Sequence, residues 1–171
     1  MNSYQTLWWE QAKSDYEAFV VLRSQGVPHC HSLHYLQICT EKVAKAYFWR
    51  NGKPPATKHD AFVVFLRFLL QTSARHDRIR LATVFGYQRF KNLQDWIRRT
   101  LPLAYDIERL APALAGKNQP NTEYPWPHEE PQNAPVTFSF PTWHELGKPT
   151  GRELMRIIHC AVLRFPDFAD I

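Results

Sequence analysis

Apolar side chains recur at helical spacing near the start of the chain. Within residues 5–24 they stand at steps of three and four, at Trp8, Ala12, Tyr16, Phe19 and Leu22. This spacing places one apolar stripe along a helix. Gly26 and Pro28 follow the stripe and predict the end of that helix.

A second apolar stripe follows almost at once. It predicts a helix that begins near His29 to Ser32 and stops at Asn51-Gly52, where glycine permits a left-handed cap. The inner positions are Leu33, Leu36, Thr40, Val43, Ala44 and Tyr47. The opposite face is polar and carries His34, Gln37, Glu41 and Lys45.

The next segments also have helical character. Asp60 is a suitable N-cap for a third helix through "AFVVFLRFLLQT", which is apolar on nearly every side and is therefore expected to be the most buried. The stretch from Thr83 to Gly116 looks helical as well. Pro102 removes an interior hydrogen bond, so we expect two helices there, near 88–100 and 102–114.

Residues 117–149 differ from the rest of the chain. They hold seven of the thirteen prolines, show no helical period, and offer in "PVTFSFP" only a short strand or an extended arm. A loop of this length is expected to pack across the surface, through Tyr124, Trp126, Phe138, Phe140 and Trp143. A last helix follows, with Thr150 as its expected cap.

These patterns predict an all-α protein, a single domain over residues 1–171 with about five helices and a proline-rich arm at 117–149 before the last one. The apolar runs are far shorter than the ~20 residues that cross a bilayer. The first residues lack the basic start and apolar centre of a secretory signal. Three unevenly spaced cysteines do not suggest a disulfide framework. A cytoplasmic protein without a membrane segment is expected.

The order of the helical segments resembles the HEPN domain family. The likeness lies in "QAKSDYEAF" of the first helix, "HYLQICTEKVAKAYF" of the second, and "EYP" at 123–125, which is similar to a degenerate Arg-Tyr-Pro element before the closing helix. It covers residues 5–72 and 121–165. Its best matches are Ala12, Asp15, Ala18, Gln37, Glu41, Lys42, Lys45 and Ala46.

The resemblance implies a helical bundle that binds a nucleotide or RNA, in a toxin–antitoxin or defence system. It also implies a homodimer and a nucleotidyltransferase-type partner protein. In this reading His34, Glu41 and Lys45 on the second helix are nucleotide-binding candidates. The resemblance implies no cofactor.

Many HEPN ribonucleases use an Arg followed four to six residues later by a His, as charge stabiliser and general acid or base. No such pair stands in residues 75–110. Two pairs elsewhere have similar spacing. Arg23 and His29 span a Gly-Val-Pro turn that is expected to separate them, whereas Arg152 and His159 share one helix face. Core residues flank His159, which favours a structural role, so Arg152 and His159 are catalytic candidates only and ribonuclease activity stays open.

The histidine and cysteine cluster at residues 29–34 has residue types that can bind a metal. Zinc sites need two ligand pairs that converge, and His29, Cys30, His31 and His34 form a single group with no second pair at ligand spacing. We therefore expect no metal there. Cys30 and Cys39 are expected to fill small gaps in the core.

Positive charge is concentrated between residues 75 and 99. Seven Lys or Arg residues face two Asp residues, an excess of five that equals the net charge of the whole chain. Tyr87, Phe90 and Trp96 are interleaved, so the segment is a candidate for phosphate tracking and base stacking, although a solvated helix face is equally compatible with the pattern. The candidate contacts are Arg75, Arg78, Arg80, Arg98 and Arg99.

Two hypotheses remain from the sequence. The first is a HEPN-like nucleotide- or RNA-binding protein. The second is a non-catalytic helical module that dimerises or binds a protein partner, with the arm 117–149 as the contact. The missing Arg-to-His motif favours the second hypothesis, and the basic segment favours the first.

Overall fold

The computed structural model describes residues 1–52, 59–127 and 129–171, and these are all-α, as predicted. They form eight α-helices rather than about five, and no β-strand is present among them. None of these helices is long and apolar enough to cross a membrane. The helices are α1 Ser3–Ser24, α2 His29–Phe48, α3 Ala61–Gln71, α4 Arg75–Val84, α5 Phe90–Glu108, α6 Pro112–Ala115, α7 Pro141–Leu146 and α8 Pro149–Leu163. Residues 53–58, inside the HEPN-like stretch, and residue 128, inside the arm, lie outside the described ranges.

Helices α1 and α2 form an antiparallel hairpin, as their two apolar stripes predict. The Asn2 and Gln5 side chains form a reciprocal capping box at the start of α1. The Asn2 side-chain amide also donates to the Trp49 carbonyl at 2.8 Å, which ties the start of α1 to the end of α2. Gly52 closes the second helix in the left-handed region with φ of 66°, as expected.

Helix α8 lies antiparallel to α1 and brings the two ends of the chain together. The Trp9 indole donates to the Val162 carbonyl at 2.7 Å, and the Gln5 side chain donates to the Ala169 carbonyl at 2.9 Å. Phe168 is fully buried beyond the end of α8 and packs against Phe85 with 5.4 Å between ring centroids. The C-terminal residues therefore complete the core that α1 begins.

Helix α4 is an element that sequence patterning did not identify. Only Leu81, Ala82 and Val84 of its ten residues are buried, so it shows no apolar stripe. Its C-terminal end is instead held by arginines of α8. Arg156 donates to the Phe85 carbonyl at 2.5 Å and Arg164 to the Val84 carbonyl at 3.0 Å. Cations at this end of a helix satisfy its free carbonyls and complement its dipole.

The prediction that Pro102 splits a helix is wrong. Helix α5 runs through it from Phe90 to Glu108. The hydrogen bond that proline removes would have reached the carbonyl of Arg98. Arg98 and Pro102 are both exposed, so this break in the hydrogen bonding lies on the solvent side of α5, while its apolar face stays buried at Leu93, Ile97 and Ala104.

The arm at 117–149 packs against the bundle, and it contains α7, which was not predicted. Trp126 and Phe140 are buried, Phe138 and Trp143 are half-buried, and only Tyr124 of the five aromatic residues is exposed. "PVTFSFP" forms no strand. The described part of the arm has one isolated β-bridge, between Trp126 and Asn133. The N-cap of α8 is Lys148, followed by Pro149, so Thr150 lies inside the helix and does not cap it.

The α7–α8 junction depends on a glycine. Gly151 is buried in the first turn of α8, against the end of α7. A Cβ at this position would lie 2.5 Å from the Cα of Leu146 and still closer to the carbonyl oxygen of Glu145. Both neighbours are backbone atoms, so neither can move aside without displacing α7.

We expect Gly151→Ala to lower the free energy of unfolding by about 3 kcal/mol, because the methyl group overpacks a rigid junction. Gly147→Ala is the matched control. Its Cβ would meet the His144 carbonyl at 3.5 Å, an ordinary contact. Urea denaturation of both variants checks the prediction, and a similar loss in both would contradict it.

Glu108 caps α3 from inside the core. Asp60 occupies the N-cap position, as predicted, but its side chain makes no capping bond. The Glu108 carboxylate accepts from the Val63 N–H at 2.8 Å instead, and only 1% of Glu108 is exposed. Its Oε2 has no hydrogen-bond partner among the described residues. Burial raises the pKa of Glu108 from about 4.5 to about 7, although the N–H donors oppose the change.

A raised carboxyl pKa means that the folded protein binds the proton more tightly than the unfolded chain does. This contribution is fully present below pH 4.5 and is lost as the pH rises to about 7, which amounts to about 3 kcal/mol. Glu108→Gln keeps an acceptor for Val63 but cannot ionise. We therefore expect this variant to match the native protein near pH 4.5 and to exceed it by about 3 kcal/mol at pH 8.

Urea denaturation across this pH range measures the difference. Glu10→Gln removes the same charge from an exposed position of α1 and should show no such pH dependence. A difference between native protein and Glu108→Gln that stays constant with pH would contradict the assignment.

Candidate functional site

The polar stripe of α2 forms one wall of an open cleft of about 400 Å³, here called the α2 cleft. The opposite walls come from α1, from His59 before α3, from the α6 region and from the arm. The lining residues are Trp8, Gln37, Ile38, Glu41, Lys42, Lys45, His59, Ala111, Pro112, Ala113, Glu123 and Tyr124.

Glu41 is the centre of hydrogen bonding in the α2 cleft. Lys45 Nζ donates to its Oε1 at 2.5 Å, Gln37 Nε2 donates to its Oε2 at 3.1 Å, and a ring nitrogen of His59 lies 3.1 Å from the same oxygen. Burial alone would raise the pKa of Glu41, but the hydrogen bonds from Lys45 and His59 lower it below its usual value. The carboxylate is therefore ionised at neutral pH and acts as an acceptor.

Lys42 serves a different purpose from Lys45. It points toward α1, where its Nζ lies 2.6 Å from the Asp15 carboxylate, and Gln11 donates to the other oxygen of Asp15. Only 5% of Asp15 is exposed, so Lys42 neutralises a buried charge within the α1–α2 hairpin. Asp15 and Lys42, both within the HEPN-like segments, are thus explained by packing.

Two aromatic side chains face the polar groups of the α2 cleft. Lys45 Nζ lies 5.3 Å from the ring centre of Trp8, within range of a cation–π contact. Tyr124 is 58% exposed at the opposite side. His34 stands just outside the cleft, with its Nδ1 3.5 Å from Oε1 of Glu123, a cleft residue. The three α2 candidates therefore lie at or beside one cavity.

The predicted basic segment is divided between α4 and α5, and most of its arginines have intramolecular partners. Arg80 pairs with Asp170 at 2.8 Å and Arg98 pairs with Asp95 at 3.2 Å. Arg78 donates to the Thr72 carbonyl, and Arg99 lies over the ring of Trp96. Arg75 is exposed at the start of α4.

The aromatic residues of the basic segment are half-buried and carry contacts of their own. The Tyr87 hydroxyl donates to the Glu153 carboxylate, and Arg156 lies 4.2 Å above its ring centre. Arg78 lies over the ring of Phe90. The rings therefore offer less free surface for base stacking than the sequence suggests.

The catalytic candidates lie on the outer face of α8, but their side chains have separate contacts. Arg152 Nη1 donates to the Gly147 carbonyl at 2.5 Å. His159 is exposed and not enclosed in the core, and its one described side-chain hydrogen bond is a structural contact between α8 and α1. Its Nδ1 lies 3.2 Å from the Tyr16 hydroxyl.

Arg23 and His29, on either side of the Gly-Val-Pro turn, both contact one aromatic ring, that of Trp143. The His29 ring stacks on the Trp143 ring with 4.5 Å between centroids, and the Arg23 guanidinium lies 5.8 Å from the centre of the Trp143 ring. Trp143 comes from α7, more than a hundred residues later in the chain, so no local pattern could reveal this grouping.

Sequence reasoning missed His59, Trp8 and Tyr124 as cleft residues. The apolar pattern assigns Trp8 to the buried stripe of α1 and Tyr124 to the packed arm, so neither is predicted to line a cleft.

No group of three His, Cys, Asp or Glu residues in the described ranges is arranged to hold a metal ion. No family model, no curated protein and no solved structure matches this chain.

Proposed function

We propose that this chain is a HEPN-like nucleotide- or RNA-binding protein whose ligand occupies the α2 cleft. One observation carries the proposal: Glu41 and Lys45, expected to bind a nucleotide, line a cavity together with two aromatic rings and a histidine. A volume of about 400 Å³ lies within the range of small-ligand sites. The resemblance in the α1 and α2 segments supports the same assignment.

The walls offer each of the groups that a nucleotide needs. Tyr124 presents an exposed ring for base stacking, and Trp8 presents a second aromatic surface. Lys45 and His59 supply donors for phosphate oxygens. Glu41 is an ionised acceptor for ribose hydroxyls or a base amino group. The same arrangement accepts a free nucleotide or one residue of an RNA strand.

The proposal is one of binding, in the setting of a toxin–antitoxin or defence system. A nucleotidyltransferase-type protein is the partner that this setting implies. Catalysis is not included, because the only described groups with the spacing of a ribonuclease pair lie outside the α2 cleft.

We expect Lys45→Gln to weaken the binding of nucleoside 5′-monophosphates about tenfold, because a charge-assisted hydrogen bond to phosphate contributes about 1.5 kcal/mol or more. Isothermal titration calorimetry with the four common nucleotides measures the effect. Lys91→Gln is the matched control, since Lys91 also pairs with a carboxylate four residues away, on the exposed face of α5.

The control should bind as the native protein does. Equal losses in the Lys45 and Lys91 variants would contradict the proposal. So would a native protein that binds none of the four nucleotides at millimolar concentration.

A second candidate function is a dimerising or protein-interaction module, and the surface of α1 favours it. Leu7 and Val21 are 62% and 50% exposed. They stand two heptads apart, within about 40° on the helix, and Ser14 and Ala18 lie between them on the same face. This stripe, with two exposed apolar side chains and two small residues between them, is suited to a second copy of the chain.

If this stripe forms a homodimer, light scattering should give twice the monomer mass at micromolar concentration. Val21→Glu should dissociate the dimer, because it places a charge in an apolar contact. Val20→Glu is the control, since Val20 is 48% exposed but lies on another side of α1. A monomeric native protein, or dissociation by both variants, would rule out this interface.

A further inference from the structure

A cluster of cationic and polar side chains lies where α1 ends, α2 begins and Trp143 of α7 contacts side chains of both. Here it is called the α7 corner, and it comprises Arg23, His29, Ser139, Trp143 and His144. The Ser139 hydroxyl lies 2.9 Å from Nε2 of His144, and the rings of His29 and His144 meet edge to face at 6.2 Å. Trp143 contacts both His29 and Arg23.

Two cavities open on the α7 corner. One of about 370 Å³ is lined by residues 26–29 and 136–139, and so includes His29 and Ser139. The other, of about 260 Å³, is lined by Arg23, Trp143, His144, Leu146 and Gly147. Arg152 adds a further cation here, because its guanidinium binds the carbonyl of Gly147, a wall residue of the second cavity.

The arginines and histidines of the α7 corner have no carboxylate counter-ion among the described residues. Across the described residues, Arg80, Arg98, Arg156 and Arg164 each have a carboxylate partner. No carboxylate of the described residues forms such a pair with Arg23, Arg152, His29 or His144. The nearby Glu145 is engaged with Lys148 at 2.5 Å. Positive charge at this corner is therefore unneutralised within the described protein.

The chemistry of the α7 corner fits a phosphate group. Arginine presents several N–H donors in a planar fork that matches phosphate oxygens, and imidazole and hydroxyl groups add single donors. Contact with Trp143 orders the Arg23 and His29 side chains before a ligand arrives, which reduces the entropy that binding must overcome.

We propose that the α7 corner is a phosphate-binding site, distinct from the α2 cleft, that receives the phosphate of a nucleic-acid strand or of a small phosphorylated ligand. Arg23 and Arg152 supply the charge, and His29, His144 and Ser139 supply further donors. No lining residue is shared with the α2 cleft, so this proposal does not depend on nucleotide binding there.

Two probes distinguish the sources of the phosphate. A fluorescein-labelled oligouridylate measured by anisotropy reports a nucleic-acid strand, and inorganic pyrophosphate measured by calorimetry reports a small ligand. The test variant is Arg23→Gln with Arg152→Gln. The control is Lys13→Gln with Arg67→Gln, which removes two charges from exposed positions of α1 and α3.

We expect the test variant to bind at least one probe about tenfold more weakly or worse, while the control stays within about twofold of the native protein. For oligouridylate, losing two phosphate contacts should also make the salt dependence shallower by roughly 1.4 units of slope. An effect on oligouridylate assigns the site to a strand, and an effect on pyrophosphate alone assigns it to a small ligand.

Ser139→Ala with His144→Gln is a second test at two exposed side chains, and it keeps the experiment informative if the arginine variant unfolds. It should weaken the same probe. Lys45→Gln removes a phosphate donor of the α2 cleft, so pyrophosphate binding that survives in this variant is assigned to the α7 corner. The proposal is overturned if neither probe binds the native protein, if test and control variants weaken binding equally, or if Lys45→Gln alone abolishes pyrophosphate binding.

Discussion

The burial of α2 is the constraint on which the rest of the structure depends. Eleven of its twenty residues are buried, and they contact α1, α3, α5 and α8. One stripe of this helix carries polar side chains in place of apolar ones. That stripe includes Gln37, Glu41 and Lys45, so the packing that stabilises the core also positions the polar wall of the α2 cleft. This wall of the cleft belongs to a helix whose other faces are held by four neighbouring helices.

The prediction of the fold succeeded where local pattern and tertiary contact coincide. The apolar residues of helices α1, α2 and α3 recur at helical spacing, so their buried faces can be identified from the sequence. Gly52 caps the short turn that follows α2, and its left-handed backbone is a conformation that glycine adopts readily. Helix α4 was missed because its end is held by Arg156 and Arg164, which lie more than seventy residues away. The prediction of a break at Pro102 was wrong because the cost of the hydrogen bond that proline removes depends on whether it lies on the buried or the exposed side of the helix, and Pro102 is exposed.

The candidate sites were predictable to a lesser degree for a related reason. A helix places Glu41 and Lys45 on one face through its period alone, so their pairing follows from spacing. His59, Trp8 and Tyr124 reach the α2 cleft from three other segments, and no period links them. Arg23 and His29 each contact Trp143 of the arm, an arrangement that residues 23–29 alone do not encode.

The bonds between the first and last segments have a consequence for the order of folding. Gln5 and Trp9 are satisfied by carbonyls of residues 169 and 162, so these contacts close a loop of more than 150 residues. Helical bundles with mostly local contacts fold fastest, and long closures slow the final step. During synthesis α1 and α2 are made first, and Asp15 finds its partner Lys42 within that hairpin. The Trp9 indole and the Gln5 amide, by contrast, lack their carbonyl acceptors until the end of α8 is available, so the apolar surface of α1 beside them is covered only when the last segment of the chain arrives.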